Sequence, residues 1–370
     1  MLIRFASLML TLWFAASPHF AVADVPAPIK MGVTLPLTGG GAEWGVAAKN
    51  GFELALADRP ELSRVVSFIY EDTQLEPKNA VTAFNKLVST DKVQLVYDFG
   101  AATTGAIGPL ADRVQIPLLS AAFDPSVASG KTFVIRFANY SAQYADLLLR
   151  HLRSKGYKHY ALVATENAFF KSLVDAFRSK LTEQESIVIL EEVIPDVTSF
   201  KSIISKLKRA SQKQEIDALG LYVHAAQGVQ FARESNEQKF RIPLFGSDAF
   251  ESTAVIKDSH DGLEGLVYPN NSVSTSFRQR YENQFGNATQ ITFAGSTYDL
   301  AMLVGDILLS PSAPRTSAEI LARLEQSGER VGVLGKFHFK NEAGVGKYFE
   351  FPIVVKVVKN GTIQNIGGEP

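Results

Sequence analysis

Apolar and polar residues first alternate and then change period near the start of the chain. Met31, Val33 and Leu35 share one side of an extended segment, then Pro36, Thr38 and Gly39-Gly40-Gly41 break it. Ala48, Phe52, Ala55 and Leu56 follow at helical spacing, so the pattern predicts strand, glycine loop and helix N-terminus in succession. The same rhythm runs on. Strands are predicted over residues 65–70, 93–97, 116–120, 159–165, 187–194, 217–222 and 243–246. Helices are predicted between them over residues 77–87, 141–155, 169–181 and 226–234, with Pro77 in a first turn and Gly156 just past an end. A further helix carries Phe200, Ile203, Ile204 and Leu207 behind Ser199. Strict strand–helix alternation predicts an α/β fold with mainly parallel sheets covered by helices on both faces.

The last quarter departs from that rhythm. Residues 274–285 and 294–308 read as consecutive helices, and residues 348–358 and 362–366 as strands flanking Asn360-Gly361, a type I′ hairpin signal. No internal repeat or low-complexity tract is visible. A chain of 370 residues is long enough for two domains.

A glycine loop that enters a helix offers backbone N–H groups to an anion. No Gly-Lys-Ser/Thr follows this one, so it is not a P-loop, and Trp44 at its mouth favours a small organic ligand. Residues 1–23 read as an export signal: Arg4, an apolar run over Leu8–Phe14 broken by Ser17-Pro18-His19, and Ala21-Val22-Ala23 before the expected cleavage. There are no cysteines, which excludes disulfides and a lipidated N-terminal cysteine. The formal net charge of −1 argues against nucleic acid or anionic lipid as the main partner. The expectation is a soluble protein of the periplasm.

Catalytic and metal-binding patterns are missing. His151, His159, His224, His260 and His338 form no HExxH or HxH spacing, and there is no GxSxG elbow. The pairs Glu71-Asp72 and Glu191-Glu192 lie at strand ends, where solvated or structural carboxylates are common. The chain reads as a binding protein, not an enzyme, and no cofactor is implied.

Pro36-Leu37-Thr38-Gly39, Glu71-Asp72, the helix from Pro77, the run Ile116-Pro117 to Asp124-Pro125, and Phe245-Gly246-Ser247-Asp248 occur in an ordered series. In order and spacing they resemble the type I periplasmic substrate-binding proteins of the leucine/isoleucine/valine and amide ABC-transporter family, over nearly all of residues 29–366. The resemblance implies two α/β lobes around a cleft, residues 29–138 plus 272–346 and residues 139–271 plus 347–370. It implies three hinge crossings, near Phe137–Asn139, Asn270–Ser272 and Lys347–Tyr348.

It also implies a site. A ligand carboxylate would meet backbone amides at Gly100 and Ala101 and at Ala121, Ala122 and Phe123, though Gly100 and Phe123 stand where the family has hydroxyls. Asp248 would face a ligand ammonium, with a helix N-cap ahead of residues 251–256 as its other reading. Trp44, Phe99, Phe123 and Phe169 would supply aromatic wall, and Tyr222 and His224 end a strand lining the cleft. The implied partners are a hydrophobic amino acid, amide, or aromatic or branched carboxylate, and an inner-membrane ABC permease. A monomer is expected. The same fold could instead serve a ligand sensor docked on a receptor.

Overall fold

The computed structural model describes residues 27–366; the expected export signal, residues 1–23, lies outside them. Two sheets organise the chain. The first holds β1 (Ile29–Leu35), β2 (Val66–Asp72), β3 (Leu95–Asp98), β4 (Leu118–Ser120) and β5 (Val134–Arg136). The second holds β6 (His159–Thr165), β7 (Ser186–Val193), β8 (Ala218–Tyr222), β9 (Leu244–Gly246) and β10 (Val267–Asn270). Three later strands, β11 (Glu329–Gly332), β12 (Gly335–Glu342) and β13 (Gly346–Glu350), return to the first sheet. The hairpin of β14 (Val354–Lys359) and β15 (Thr362–Ile366) closes the second, turning at Asn360 and Gly361 with φ of 52° and 70°.

The parallel parts have the same order. The first sheet runs β2-β1-β3-β4-β5 and the second β7-β6-β8-β9-β10. The architecture therefore repeats where the sequence shows no repeat. In each sheet the order reverses beside the first strand, at β1 and at β6, and ligands of open α/β sheets settle outside the strand C-termini at such a reversal. Helices cover both faces. Helices 42–58 and 291–309 pack on one side of the first sheet, with Phe52, Ala294 and Leu300 inaccessible, and helices 77–86 and 101–114 on the other. Helix 291–309 is long and apolar enough to cross a bilayer, but most of it is buried in this core.

Three segments pass between the lobes: residues 137–140, 271–274 and 351–353. The third differs from the expectation at Lys347–Tyr348. Both residues lie inside β13, paired with Ile135 and Arg136 of β5, so residues 347–350 belong to the first lobe. Residues 348–358 are correspondingly two strands in different sheets, not one. Pro352 lies at the break, and a proline removes a ladder donor.

Candidate functional site

The C-terminal edges of the two sheets face one another across a cavity of about 300 Å³. Trp44, Phe99, Gly100 and Ala101 line it from the first lobe, with Ala121, Ala122 and Phe123 from the next loop. Phe169, His224 and Asp248 line it from the second lobe. Tyr222 does not. It is buried in the second lobe's core, edge-on to Phe245, and borders a small separate recess beside Asp248. β8 ends at Tyr222, and the chain turns at once into the helix beginning at Ala225, which redirects His224 alone toward the cavity.

The first lobe contributes an uncapped helix start. Helix 101–114 begins after Gly100, whose φ of 118° and ψ of 144° suit a glycine. Its first backbone bond is Thr104 N to Gly100 O at 3.0 Å. The amides of Ala101, Ala102 and Thr103 thus have no acceptor within the helix, and Gly100 has no side chain to cap them. All three residues line the cavity. Such an end favours an anion through its free N–H groups and the helix dipole.

A fully buried carboxylate holds this end in place. Asp98 accepts from Thr34 Oγ1 at 2.6 Å, Thr103 Oγ1 at 2.9 Å and Thr104 Oγ1 at 2.7 Å. Thr104 Oγ1 lies 2.7 Å from Ser120 Oγ, which accepts from the amide of Ala122 at 3.0 Å. One network therefore positions both loops of the first lobe. Burial outweighs these bonds and lifts the Asp98 carboxyl to about 6.

Asp248 is the counterpart across the cavity. It is 4% exposed, and no side chain among the described residues hydrogen-bonds to it. Burial and the neighbouring Glu251 charge push its carboxyl up to about 7, against the pull of Lys356. Glu251 is satisfied by Lys356 Nζ and by Asn270 Nδ2 at 2.6 Å. Asp248 does not cap residues 251–256. The helix starts at Thr253, and Ser252 Oγ accepts from Val255 N. Asp248 is left as a desolvated carboxyl with its own backbone N–H as a hydrogen-bond donor and no side-chain donor among the described residues.

Aromatic rings form the rest of the wall. Trp44 stacks on Phe99 with centroids 6.4 Å apart, and Phe99 meets Phe293 edge-on at 4.9 Å. Phe123 leaves its own lobe to sit 4.7 Å from Tyr144 and 5.8 Å from Phe169. Burial lowers the pKa of His224, and Asn167, whose Oδ1 accepts from Phe170 N, lies with Nδ2 3.2 Å from His224 Nε2.

Leu75, Glu76, Ala102, Thr103, Asn167, Ala168 and Phe293 also line the cavity and were not anticipated. Asn167 carried a readable signal, an Asn just before a helical run, and it caps helix 168–179. Leu75 carried none. Among the described residues, no group of three or more His, Asp or Glu is placed to hold a metal ion.

A sequence model described as periplasmic binding protein matches residues 28–349. The chain belongs to the periplasmic binding protein family. This periplasmic binding protein is 27% identical over 281 residues to the Leu/Ile/Val-binding protein BraC3 of Rhizobium johnstonii, covering 73% of each chain. In fold it is similar to a leucine-binding protein, LivK, of Thermotoga maritima, with a TM-score of 0.79 and 20% identity over 92% of this chain and 98% of that one. It is equally similar to an ABC-transporter solute-binding protein of R. palustris solved with benzoate. The TM-score there is 0.79, with 19% identity over 92% of this chain and 96% of that one.

Proposed function

We propose that this periplasmic binding protein captures a small organic carboxylate with an apolar tail between its lobes and hands it to an ABC permease of the inner membrane. A hydrophobic amino acid fits best, with an aromatic or branched carboxylate or amide as the wider class. One observation carries the reading: an uncapped helix start at Ala101–Thr103 and a buried Asp248 with no side-chain donor among the described residues face the same cavity from opposite lobes. A carboxylate meets the first and an ammonium the second, so an amino acid satisfies both and draws the lobes together. Trp44, Phe99 and Phe293 supply the apolar surface for its side chain. The lobes then comprise residues 29–138 with 272–350 and residues 139–271 with 354–366, hinged at the three passages.

Relatives support this reading without naming the ligand. The BraC3 relative is a Leu/Ile/Val-binding protein, and the R. palustris neighbour was solved with benzoate. Calorimetry and thermal shift with leucine, isoleucine, phenylalanine, benzoate-type acids and short amides test it. The expected result is micromolar or tighter binding of at least one acid. Binding of sugars or phosphate alone would overturn the reading.

A further inference from the structure

Leu75 holds a backbone conformation that leucine rarely adopts. Glu76 N donates to Thr73 O at 2.8 Å, closing a four-residue turn whose central residues, Gln74 and Leu75, have φ of 55° and 61°. Two left-handed central residues are the type I′ pattern, ordinarily filled by Asn-Gly and similar pairs. Such strain persists where the surroundings over-determine it, and it gathers at ligand sites.

Here the surroundings are visible. Asp72 Oδ1 accepts from Gln74 N at 3.1 Å and Leu37 N at 2.9 Å. Thr38 Oγ1 donates to Asp72 Oδ2 at 2.5 Å and accepts from Gln74 Nε2 at 3.0 Å. The turn is thereby clamped to the glycine loop after β1. What the clamp positions is one side chain. A Cβ on Gly41 would lie 2.7 Å from Leu75 Cδ1, and one on Gly100 would lie 3.0 Å from Leu75 Cδ2. Leu75 is wedged between two glycine loops, its side chain on the cavity wall beside the free amides of Ala101–Thr103.

We propose that Leu75 determines specificity, its two methyl groups setting how much bulk the ligand carries on the carbon next to its carboxylate. This rests on the reading of the cavity as a carboxylate site. A carboxylate seated on the helix start brings its neighbouring carbon alongside Gly100, where Leu75 already fills the space. Leu75 itself offers no hydrogen-bonding group, and the neighbouring Thr103 Oγ1 is already engaged with Asp98 and Phe99 O, so this side of the wall accepts a hydrogen atom and rejects an added methyl group by bulk.

The test uses Leu75→Gly and Leu75→Ala in the full mature protein. Glycine suits the left-handed turn and deletes the side chain, whereas alanine deletes it and retains the strain. Calorimetry compares acids in pairs that differ by one methyl group on the carbon beside the carboxylate: leucine with α-methylleucine, and phenylacetate with 2-phenylpropionate. The expected result is wild-type preference for the unmethylated member, shifted by about 10-fold or more toward the methylated member in both variants. Leu75→Gly should retain at least the wild-type melting temperature without ligand. An unchanged preference in both variants, with wild type binding, overturns the role of Leu75 alone. Wild type that binds no member of either pair, and no other acid of the panel, overturns the carboxylate reading and this proposal with it.

Discussion

Asn139 and Asn271 meet at 3.4 Å and clasp the third passage between the lobes from two sides. Asn139 Nδ2 donates to Phe351 O at 3.0 Å, and Asn271 Nδ2 donates to Pro352 O at 2.7 Å. Each asparagine belongs to one of the other two passages, so all three are joined by side-chain amides. Both are buried, and deleting either leaves a backbone carbonyl without its donor. Asn139→Ala and Asn271→Ala should each cost about 1–3 kcal/mol. Because they share one network, the double variant should fall short of the sum by about 0.5–1 kcal/mol. Urea unfolding of the four proteins checks this, and strict additivity would show that the asparagines act separately.

Asp248 links ligand choice to pH. Its ordinary carboxyl value is 3.8 and its folded value about 7, so the folded state holds the proton more tightly than the unfolded chain. Its contribution to ligand-free stability is full below pH 4 and is lost as pH rises through about 7. Asp248→Asn should flatten that part of the melting profile and raise the ligand-free stability at pH 8 by on the order of 1–3 kcal/mol. Binding of an amine-bearing ligand runs the other way, strengthening up to tenfold per unit as pH approaches 7 and then levelling. The variant should lose amino acids and spare simple carboxylates. Equal loss of both would remove Asp248 from the ammonium site.

Much of this fold was legible because buried parallel strands and amphipathic helices write their periods locally. Residues 159–165 and 362–366 form strands with the expected bounds, and Pro77 opens its helix. Asp248, Trp44, Phe99, Phe123 and Phe169, named from the sequence, all line the cavity. Legibility stopped where position depends on distant partners. Pro352 divides a run of strand-forming residues between two sheets, a choice made by β5 and β10 rather than by the run itself. Tyr222 and His224 share a period-two pattern, yet the strand ends between them. Leu75 sits in a polar turn, and its place depends on Asp72, Gly41 and Gly100. The matching strand order of the lobes is a property of topology and left no residue-level trace.

The Asp98 network predicts a shared loss of stability and binding. Asp98→Ala would remove the acceptor shared by Thr34, Thr103 and Thr104 in a region closed to water, leaving Thr34 and Thr103 only backbone carbonyls and Thr104 only Ser120 as partners. A cost of about 2–4 kcal/mol is expected. Affinity for every carboxylate ligand should fall together, since the starts of both first-lobe loops lose their support. Chemical denaturation and calorimetry on one preparation measure both. A stability loss with ligand affinity intact would separate the network from the site.

Trp44 separates a ligand contact from a core residue. Its ring is half-buried, stacks on Phe99 and borders the cavity. A ligand tail laid against that stack gains area burial and dispersion, on the order of 1.5–3 kcal/mol for a large apolar group. Trp44→Ala should therefore weaken leucine, phenylalanine or aryl carboxylates by about 10- to 100-fold while changing the smallest acids little, as that energy range implies. The rank order of the panel changes if Trp44 touches the tail. Should the melting temperature fall with the rank order preserved, Trp44 serves only to pack Phe99, and the apolar preference must come from Phe99 and Phe293.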